Sequence, residues 1–467
     1  MGSGLALAGA GSSSSDDLYS ASSSGPPIPS DDLYAVSSPD GVRVVAVGAH
    51  GAIRVSGDGG ASWRAAPAPV DSTLTSVSLA DARHGWAVGM HGVLLATRDG
   101  GASWVRQPLP AESEAVHLLG VYALDARQAL AVGTWGARLR TDDAGQSWQD
   151  TPIEIGADHP RFAWLDPAER ARVRRGGSVR EDVALQSVGC RRGGEHCALA
   201  GEFGTLQVSR DAGRSWRAAE IDSGVAALTS PLAEGATEAP AAPELAGPVA
   251  ALDRQPTARL EVEAFASPDE MRRLVRQGEP GPLFELLEAR LEAARAAAEA
   301  AGAPADRVRA AGRPPFDLAE FGGADPALLE RYLASRRASR PALRWTLRLR
   351  PLLYDVAWVD GARAVAVGLG GVVLRSDDGG QRWRPEARRG DTALYAASPS
   401  GQGVWIAGDA GALLAPDATA PPAEPRGRFL RGLAFALEAP DTGFAVGEGG
   451  LILGTRDAGR SWTPLHP

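Results

Sequence analysis

Ser56-Gly57-Asp58-Gly59-Gly60-Ala61-Ser62-Trp63 is the stretch that decides the fold, because the chain repeats its pattern, S/T-x-D-x-G-x-x-W, five more times. We call this pattern the Asp motif. Its Asp and Trp positions are Asp58 and Trp63, Asp99 and Trp104, Asp143 and Trp148, Asp211 and Trp216, Asp378 and Trp383, and Asp457 and Trp462. Six copies with one internal spacing indicate a repeat architecture, in which each unit buries its neighbour's face.

Each Asp motif ends the third strand of a unit of about 40 residues. The unit contains an apolar strand, a turn, a second strand ending in Gly, two variable residues, Gly, a third strand, the Asp motif and a short fourth strand. The step from Asp378 to Asp457 is 79 residues, which predicts a further unit around Leu394 to Leu414 with a decayed motif near Asp417. The sequence therefore predicts an all-β fold, a seven-bladed β-propeller of four-stranded antiparallel blades with Asp-box turns.

Composition agrees with many short strands and sets limits on function. The chain has 57 Gly and 34 Pro against 6% aromatic residues, which is typical of short strands joined by tight turns. A net charge of −9 argues against nucleic-acid binding, which requires a positive field. No apolar run reaches the length of a spanning helix, so we expect no transmembrane segment.

Four segments follow from the pattern. We predict a disordered N-terminal tether at residues 1–30, blades 1–4 at 31–217, an insertion at 218–351 and blades 5–7 at 352–467. The insertion is expected to be mainly helical, between blades 4 and 5. It begins with a Pro/Ala/Glu-rich linker to Arg254, and alternating strands at Leu260–Ala264 and Leu343–Leu349 set Glu opposite Arg in a β ribbon. Helix signals start at Ser267, cover Leu283–Ala301 and run from Asp325 to about Arg337.

The Asp motif is interpreted as structural. Its Asp and Ser/Thr side chains can bind backbone groups of their own turn, and its Trp can pack between adjacent sheets. Six aspartates spread around a rim cannot converge on one substrate or one calcium ion. We therefore predict no catalytic residues and no cofactor.

The two variable residues between the second and third strands are the candidate contacts. These G-x-x-G turns lie at the sheet end opposite the Asp motifs, where the tips of every blade converge. The candidates are His50, His91, Trp135, Phe203, Asp409 and Glu448. Ordinary solvated turns are the alternative, and His50 and His91 have no third neighbour for a metal site.

A first, smaller insertion at about Glu154 to Arg180 is rich in arginine. It carries Arg161, Arg170, Arg172, Arg174, Arg175 and Arg180 around Phe162 and Trp164. Such a patch on an acidic protein suits an acidic protein surface or anionic headgroups, and a solvated loop is the alternative. Arg172, Arg174 and Arg175 are the candidate binding residues.

The two cysteines fall at the end of the first strand and the start of the second strand of unit four. Cys190 and Cys197 thus face each other across a hairpin, where a disulfide can form, and free buried thiols are the alternative. A disulfide would indicate an oxidising compartment. A pair without His partners is a poor metal site.

The unit from Val88-Gly89-Met90-His91-Gly92 to Trp104 resembles the photosystem II stability/assembly factor-like family of BNR/Asp-box propellers. The resemblance covers roughly Tyr34 to Trp216 and Tyr354 to Trp462, and the helical insertion departs from it. It implies a lumenal or periplasmic, non-enzymatic factor that holds a membrane-protein subunit during assembly. For this chain we expect a periplasmic or extracellular location. The partner would be a protein.

Two other functions remain open. A cell-surface recognition or adhesion propeller would use the same face. A sialidase-like glycoside hydrolase also carries Asp boxes, but such enzymes resemble six-bladed rings with longer blades, an Arg triad and a Tyr/Glu pair. No such triad accompanies the six Tyr residues of this chain.

Overall fold

The computed structural model describes residues 31–465, with gaps at 158, 160–161, 163–164, 192, 239–241, 255–256, 276–279, 312–325, 387–391 and 417–427. The predicted tether and the decayed motif near Asp417 lie outside the described residues. So do Arg161 and Trp164 of the first insertion.

Sheets of antiparallel strands in chain order make up most of the described chain, and seven of them follow one another. In the fifth, the strand Glu220–Ile221 is added in parallel to the outer strand. We number them sheets 1 to 7. Their strands are Leu33–Ser37, Val44–Gly48, Ile53–Ser56 and Arg64–Ala65 (sheet 1); Leu74–Leu79, Gly85–Gly89, Val93–Thr97 and Val105–Arg106 (sheet 2); Leu118–Ala123, Ala129–Gly133, Arg138–Thr141 and Gln149–Asp150 (sheet 3); Leu185–Cys190, Cys197–Gly201, Leu206–Ser209 and Arg217–Ala218 (sheet 4); Leu353–Trp358, Ala364–Gly368, Val373–Ser376 and Arg382–Pro385 (sheet 5); Leu394–Ser400, Gly403–Gly408 and Leu413–Leu414 (sheet 6); Leu430–Phe435, Gly443–Gly447, Ile452–Thr455 and Thr463–Pro464 (sheet 7).

The sheets stand side by side around their first strands. The first strand of each sheet contacts the first strand of the next, and that of sheet 7 contacts that of sheet 1. Second strands such as Val44–Gly48 are buried along their whole length because sheets cover both of their faces. The predicted all-β propeller class is confirmed.

The Asp motif forms a hydrogen-bonded turn. In sheet 1 the Ser56 hydroxyl donates to Asp58 Oδ1 at 2.7 Å and accepts from the Gly60 N–H at 2.8 Å. Asp58 Oδ1 also accepts from the Ser62 N–H at 2.9 Å. Hydrogen bonds from the hydroxyls and N–H groups of Ser62, Ser147 and Ser461 lower the pKa of Asp58, Asp143 and Asp457 to about 2.

The motif Trp packs between its own sheet and the preceding one. Trp104 is buried with Val45 and Val55 of sheet 1 and Leu95 of sheet 2, and its indole N–H donates to Gly101 O at 3.1 Å. Gly101 has φ +86°, and a Cβ there would lie 2.8 Å from Val45 Cγ2, so only glycine fits this close approach. The turn thus fixes a Trp in each sheet interface that carries a motif.

Sheet 4 contains the disulfide. Cys190 and Cys197 are directly paired across the first hairpin, with Cα atoms 4.0 Å apart, and their sulfurs are bonded. Of the two alternatives for the cysteines, the structure contains the disulfide.

The larger insertion is built on a sheet of its own. Its strands, in spatial order, are Leu228–Pro231, Ala342–Leu349, Ala258–Phe265 and Val308–Ala311, and the last two run parallel. The predicted ribbon is therefore half of a mixed four-stranded sheet. The expected pairing of Glu with Arg is met at Glu263, which lies opposite Arg344, whereas Glu261 lies opposite Thr346 and bonds Arg350 at 2.9 Å.

The α-helices of the described chain are α1 (Pro167–Arg174), α2 (Ala242–Arg254), α3 (Pro268–Leu274), α4 (Gly281–Ala300) and α5 (Pro326–Ser335). Helix α1 belongs to the smaller insertion, and α2 and α4 pack on the sheet of the larger one. None of them is long and apolar enough to cross a membrane. Helices α3 to α5 lie where the sequence predicts helices, and α3 begins with a capping box between Ser267 and Glu270.

The predicted linker is wrong over much of its length, because it contains the strand Leu228–Pro231 and helix α2. Leu245 and Leu252 of α2 are buried in the core of the insertion. The segment before α2 is held by a fully buried ion pair between Arg290 and Glu270, whose charged groups are 2.6 Å apart. Arg290 also donates to Ala236 O, in that segment, at 2.8 Å. Residues this distant in sequence cannot be paired from composition.

Both insertions leave the sheets at the G-x-x-G end. The Gly204 N–H, in the turn of sheet 4, donates to Pro351 O at 2.7 Å, where the larger insertion ends. The Ile153 N–H donates to Gly136 O at 2.8 Å, where the smaller one begins beside the turn of sheet 3. Both therefore emerge on the predicted face.

Replacing Trp104 by Ala should lower the free energy of unfolding by about 3–5 kcal/mol, because a buried Trp is lost from a sheet interface. Urea unfolding followed by circular dichroism measures the change. Trp135→Ala is the matched control, because this Trp is 51% exposed and its loss should cost little. Equal losses in the two variants would contradict the role of the motif Trp.

Candidate functional site

The G-x-x-G turns place their second variable residue in left-handed backbone conformation. His50, His91, Trp135, Phe203 and Ala410 have φ between 52° and 57° there. Residues other than Gly adopt this conformation at a cost, and four of these tips hold a bulky His, Trp or Phe where Gly would be easier to accommodate. Sheets 5 and 7 have Gly370 and Gly449 at the same position.

The predicted tip residues lie on separate sheets and in different surroundings. Trp135 and Phe203 are 51% and 52% exposed. The His50 ring is exposed, with Nδ1 3.4 Å from Asp31. His91 lies against His117, with ring centroids 5.0 Å apart, rather than beside His50.

Asp409 and Glu448 are tied into the framework. The Asp409 carboxylate lies close enough to the Tyr395 hydroxyl to raise the pKa of that hydroxyl, and the Asp409 N–H donates to Ala393 O at 2.9 Å. Glu448 accepts from the Phe429 N–H at 3.4 Å. These two carboxylates therefore help to hold neighbouring groups in place.

The first strands line a central cavity of about 460 Å³. Each of them has a β-bulge just after its first residue, so that one residue is left without a cross-strand partner. A bulge re-aims the extra side chain. The bulge residues, all of which line the cavity, are Tyr34, Thr75, Leu119, Gln186, Tyr354, Tyr395 and Arg431.

These seven residues form a ring at the G-x-x-G end of the cavity, because the strand residue before each bulge pairs with the Gly that opens the turn, as Leu33 does with Gly48. We call this ring the channel mouth. Its framework repeats while its side chains differ. The repeat pattern did not predict this ring, although a variable residue follows the first Leu of each unit in the sequence.

One side of the channel mouth is aromatic and cationic. The rings of Tyr354 and Tyr395 are 5.1 Å apart, and the Arg431 guanidinium lies 4.1 Å from the centroid of Tyr395 and 5.3 Å from that of Phe429. Burial, and then the neighbouring Asp409 carboxylate, raise the pKa of Tyr395 to about 12, so its hydroxyl stays protonated at neutral pH. A stacked guanidinium can still donate hydrogen bonds in its plane.

Further down the cavity, polar side chains join the first strands of successive sheets. The bonds are Leu79 N–H to Ser37 Oγ at 3.0 Å, Ala123 N–H to Ser78 Oγ at 3.0 Å, Ser187 hydroxyl to Asp355 Oδ1 at 2.6 Å, Ala397 N–H to Asp355 Oδ2 at 2.8 Å, and Phe435 N–H to Ser398 Oγ at 2.9 Å. Asp355 thus bridges sheets 4, 5 and 6. Its burial raises its pKa to about 6 despite these bonds.

The basic insertion presents its arginines on helix α1. A capping box between Asp166 and Glu169 starts the helix, and Val173 is buried with Ile155, Phe162 and Leu165. The opposite side of the helix and its end carry Arg172, Arg174 and Arg175, which are exposed. The structure therefore gathers the three predicted arginines on one short element.

Metal-binding geometry is absent from the described part of the chain. No group of three or more His, Cys, Asp or Glu side chains is placed there to hold a metal ion. The pair His91 and His117 has no carboxylate or thiolate completing it among these residues.

Residues 55–157 match the family model described as photosynthesis system II assembly factor YCF48. The resemblance predicted from the repeats is confirmed. Two solved structures are similar: YCF48 bound to D1 peptide, at 15% identity and TM-score 0.44 over 85% of this chain and 83% of that chain, and YCF48 from Cyanidioschyzon merolae, at 15% identity and TM-score 0.39 over 92% and 97%. A comparison with curated proteins gives no match.

The pKa of Asp355 predicts a pH dependence of stability. Asp355 has a pKa of about 6 in the folded chain and an ordinary value of 3.8 when unfolded, so the folded chain binds the proton more tightly. The stabilisation from this proton is fully present below pH 3.8 and is lost as the pH rises through 6. The free energy of unfolding of the wild type relative to Asp355→Asn should therefore fall between pH 4 and pH 7. Urea unfolding at several pH values measures it.

The matched control for Asp355 is Asp360→Asn. Hydrogen bonds from the Ala362 and Arg363 N–H groups lower the pKa of Asp360 to about 2, below the tested range. Its difference from the wild type should stay constant from pH 4 to pH 7. A constant difference for Asp355→Asn as well would show that Asp355 does not titrate there.

Proposed function

We propose that this chain is a non-enzymatic assembly or scaffolding factor that binds a protein of a membrane-associated complex through its G-x-x-G face. The observation that carries the proposal is the channel mouth, where seven equivalent positions carry different side chains on a repeating framework. A purely structural ring has no need of this variety. The family match over residues 55–157 supports an assembly factor.

The chemistry of the channel mouth favours a protein ligand. Tyr and Arg are the residue types most enriched at the energetic centres of protein interfaces, and Tyr354, Tyr395 and Arg431 are stacked together here. Their stacking limits the rotamers that binding would have to fix, which lowers the entropic cost of association. The proposed contact is a partner segment that enters the cavity beside Arg431.

Helix α1 supplies a second proposed contact. Its insertion begins beside the turn that carries Trp135, so an exposed aromatic residue and the arginines 172, 174 and 175 belong to the same region of the face. Exposed arginines steer acidic partners and add to the rate of association. The partner surface proposed here is acidic.

The proposal includes a location and a complete ring. The disulfide between Cys190 and Cys197 favours an oxidising compartment, so we propose a periplasmic or extracellular protein. We also propose that sheets 1 to 7 act as one seven-bladed propeller, whose rigidity holds the tips in register. No step of this function requires a cofactor.

A tagged chain incubated with detergent-solubilised membranes of its source should enrich a subunit of one membrane complex, as quantified by mass spectrometry. Arg431→Ala should reduce that enrichment at least about tenfold, roughly 1.4 kcal/mol, by removing a stacked interface Arg. Arg217→Ala, an exposed arginine on the outer strand of sheet 4, is the control and should retain most of it. Undiminished enrichment with Arg431→Ala, or turnover of a fluorogenic sialoside by the wild type, would count against the proposal.

Changing Arg172, Arg174 and Arg175 together to Glu should abolish the same enrichment, because charge reversal opposes an acidic partner. The matched control reverses Arg64, Arg106 and Arg217, three exposed arginines on outer strands. It alters the net charge equally and should leave enrichment intact. Equal effects of both triple variants would show a response to net charge alone.

A further inference from the structure

The sheet of the larger insertion has one apolar face and one charged face. Leu260, Val262 and Trp345 belong to the core that this sheet shares with helices α2 and α4. Because side chains alternate along a strand, the residues between them lie on the opposite face. We call that side the arginine face, and its arginines are Arg259, Arg309, Arg344, Arg348 and Arg350.

Few carboxylates accompany these arginines. Arg350 donates to Glu261 at 2.9 Å, and Nε of Arg348 lies 3.6 Å from the same carboxylate, so two exposed arginines share one glutamate. Glu263 lies opposite Arg344 in register but bonds Arg336 at 2.9 Å. Three arginines form no ion pair with any residue that the structure describes, and these are Arg259, Arg309 and Arg344.

Two further carboxylates lie at the end of the sheet where Arg259 is found. Those of Asp253 and Asp306 both act on Arg307, which precedes the strand Val308–Ala311. Within the described ranges neither of them forms an ion pair with an arginine of the arginine face. Arginines therefore outnumber carboxylates on and around this face, although the whole chain has a net charge of −9.

One cross-strand pair on this face is unfavourable. Arg259 lies directly opposite Arg348 in the antiparallel register. Like charges directly opposite each other destabilise a sheet, and no carboxylate of the described chain bonds Arg259 to offset the repulsion. A local rule that is broken without a compensating contact is expected at a functional position. An anion supplied by a partner would relieve the repulsion.

The surroundings of the arginines favour a protein as the source of that anion. The aromatic residue on this face is Phe265, which is 9% exposed and lies 5.1 Å from the guanidinium groups of both Arg336 and Arg344. Within the described chain, this sheet carries none of the exposed large apolar side chains. A membrane surface requires apolar side chains to bury in it, and single-stranded nucleic acid requires exposed rings on which its bases stack. A protein carboxylate requires only guanidinium donors.

The spacing of the arginines suits an extended chain. Arg348 and Arg350 are two residues apart, so their side chains leave the same face at positions about 6.8 Å apart. They are 57% and 49% exposed. In an extended segment, acidic residues at every second position have the same spacing and lie on one side.

We propose that the arginine face binds an extended acidic segment of a partner protein, whose carboxylates at alternate positions contact Arg259, Arg309 and Arg348. Arg350 is followed by Pro351, whose carbonyl accepts from the Gly204 N–H at 2.7 Å, so the arginine face adjoins the turn of sheet 4. The proposal uses no residue of the channel mouth or of helix α1. It can therefore fail while the proposed function stands, and the reverse.

The probe is a fluorescein-labelled peptide of sequence Thr-Glu-Thr-Glu-Thr-Glu-Thr. Its binding to the full chain is measured by fluorescence anisotropy and compared with that of the isomer Thr-Thr-Glu-Glu-Glu-Thr-Thr, which has the same charge. We expect saturable binding of the alternating peptide and at least about fivefold weaker binding of the isomer, whose carboxylates cannot all lie on one side of an extended chain. No saturable binding, or equal binding of the two peptides, would overturn the proposal.

A double variant locates the peptide. Arg309→Ala combined with Arg348→Ala should weaken binding of the alternating peptide at least about tenfold, because charge-assisted hydrogen bonds are lost. The matched control combines Arg64→Ala with Arg106→Ala, two exposed arginines on outer strands, and changes the net charge equally. Its affinity should equal that of the wild type. The same weakening in both double variants would mean that the peptide senses net charge alone, and the proposal would be wrong.

Arg259→Thr separates binding from folding. Removing Arg259 relieves its repulsion with Arg348, so the urea concentration at half-unfolding should stay the same or rise. The alternating peptide should nevertheless bind at least about threefold more weakly, since one guanidinium contact is lost. A lower unfolding midpoint, or undiminished peptide binding, would assign Arg259 to the fold alone and contradict the proposal.

Competition and cross-linking test the other ligands and sites. Neither phosphatidylserine vesicles nor single-stranded polyuridylate should displace the alternating peptide at equal concentrations of negative charge. Displacement by either would overturn the assignment to a protein segment. A peptide with photo-reactive benzoylphenylalanine at its central position should cross-link to residues 258–265 or 342–350, and cross-links confined to other parts of the chain would overturn the assignment to this face.

Discussion

Insertion of a tryptophan between two sheets is the interaction on which this ring depends. Each sheet has two apolar faces, and a single sheet of three or four strands cannot bury them without packing against other sheets. The Asp motif solves this locally, since its Ser/Thr and Asp side chains close the turn and its Gly lets the turn approach Val45, Leu130 or Val208 of the preceding sheet. The Trp then fills the space between the outer strands of the two sheets, as Trp104 does between sheets 1 and 2. Each interface is thus specified by a few residues that are close in sequence.

Because the rim is held in this way, the inner strands are free to vary at one position. The bulge after the first residue turns a side chain towards the cavity without disturbing the apolar residues that alternate on either side of it. The result is a rigid ring whose mouth combines Thr75, Leu119 and Gln186 on one side with Tyr354, Tyr395 and Arg431 on the other. Rigid placement of differing groups is what recognition of one partner requires.

The interface between sheets 5 and 6 differs from the others because sheet 6 has no motif Trp. Without a motif Trp, its core consists of aliphatic side chains such as Val367 and Ile406, and a cavity remains at the outer end. Asp355 compensates nearer the axis by bonding both Ser187 and the backbone of Ala397. Near the axis the Asp355 carboxylate joins sheet 5 to its neighbours, and at the rim no motif Trp packs between sheets 5 and 6.

The sequence by itself determined the sheets, their order and the role of the Asp motif, because every one of these depends on residues within about 40 positions of each other. It also predicted the antiparallel pairing of Ala258–Phe265 with Ala342–Leu349, because both strands alternate apolar and polar residues and Glu263 can face Arg344. Only the tertiary structure decided that the supposed linker is ordered by Arg290 and Glu270, and that seven bulge residues meet at one mouth. The fold of the insertion brings Arg290 to Ala236, 54 residues away, and closure of the ring, which no local pattern encodes, brings the seven bulge residues together.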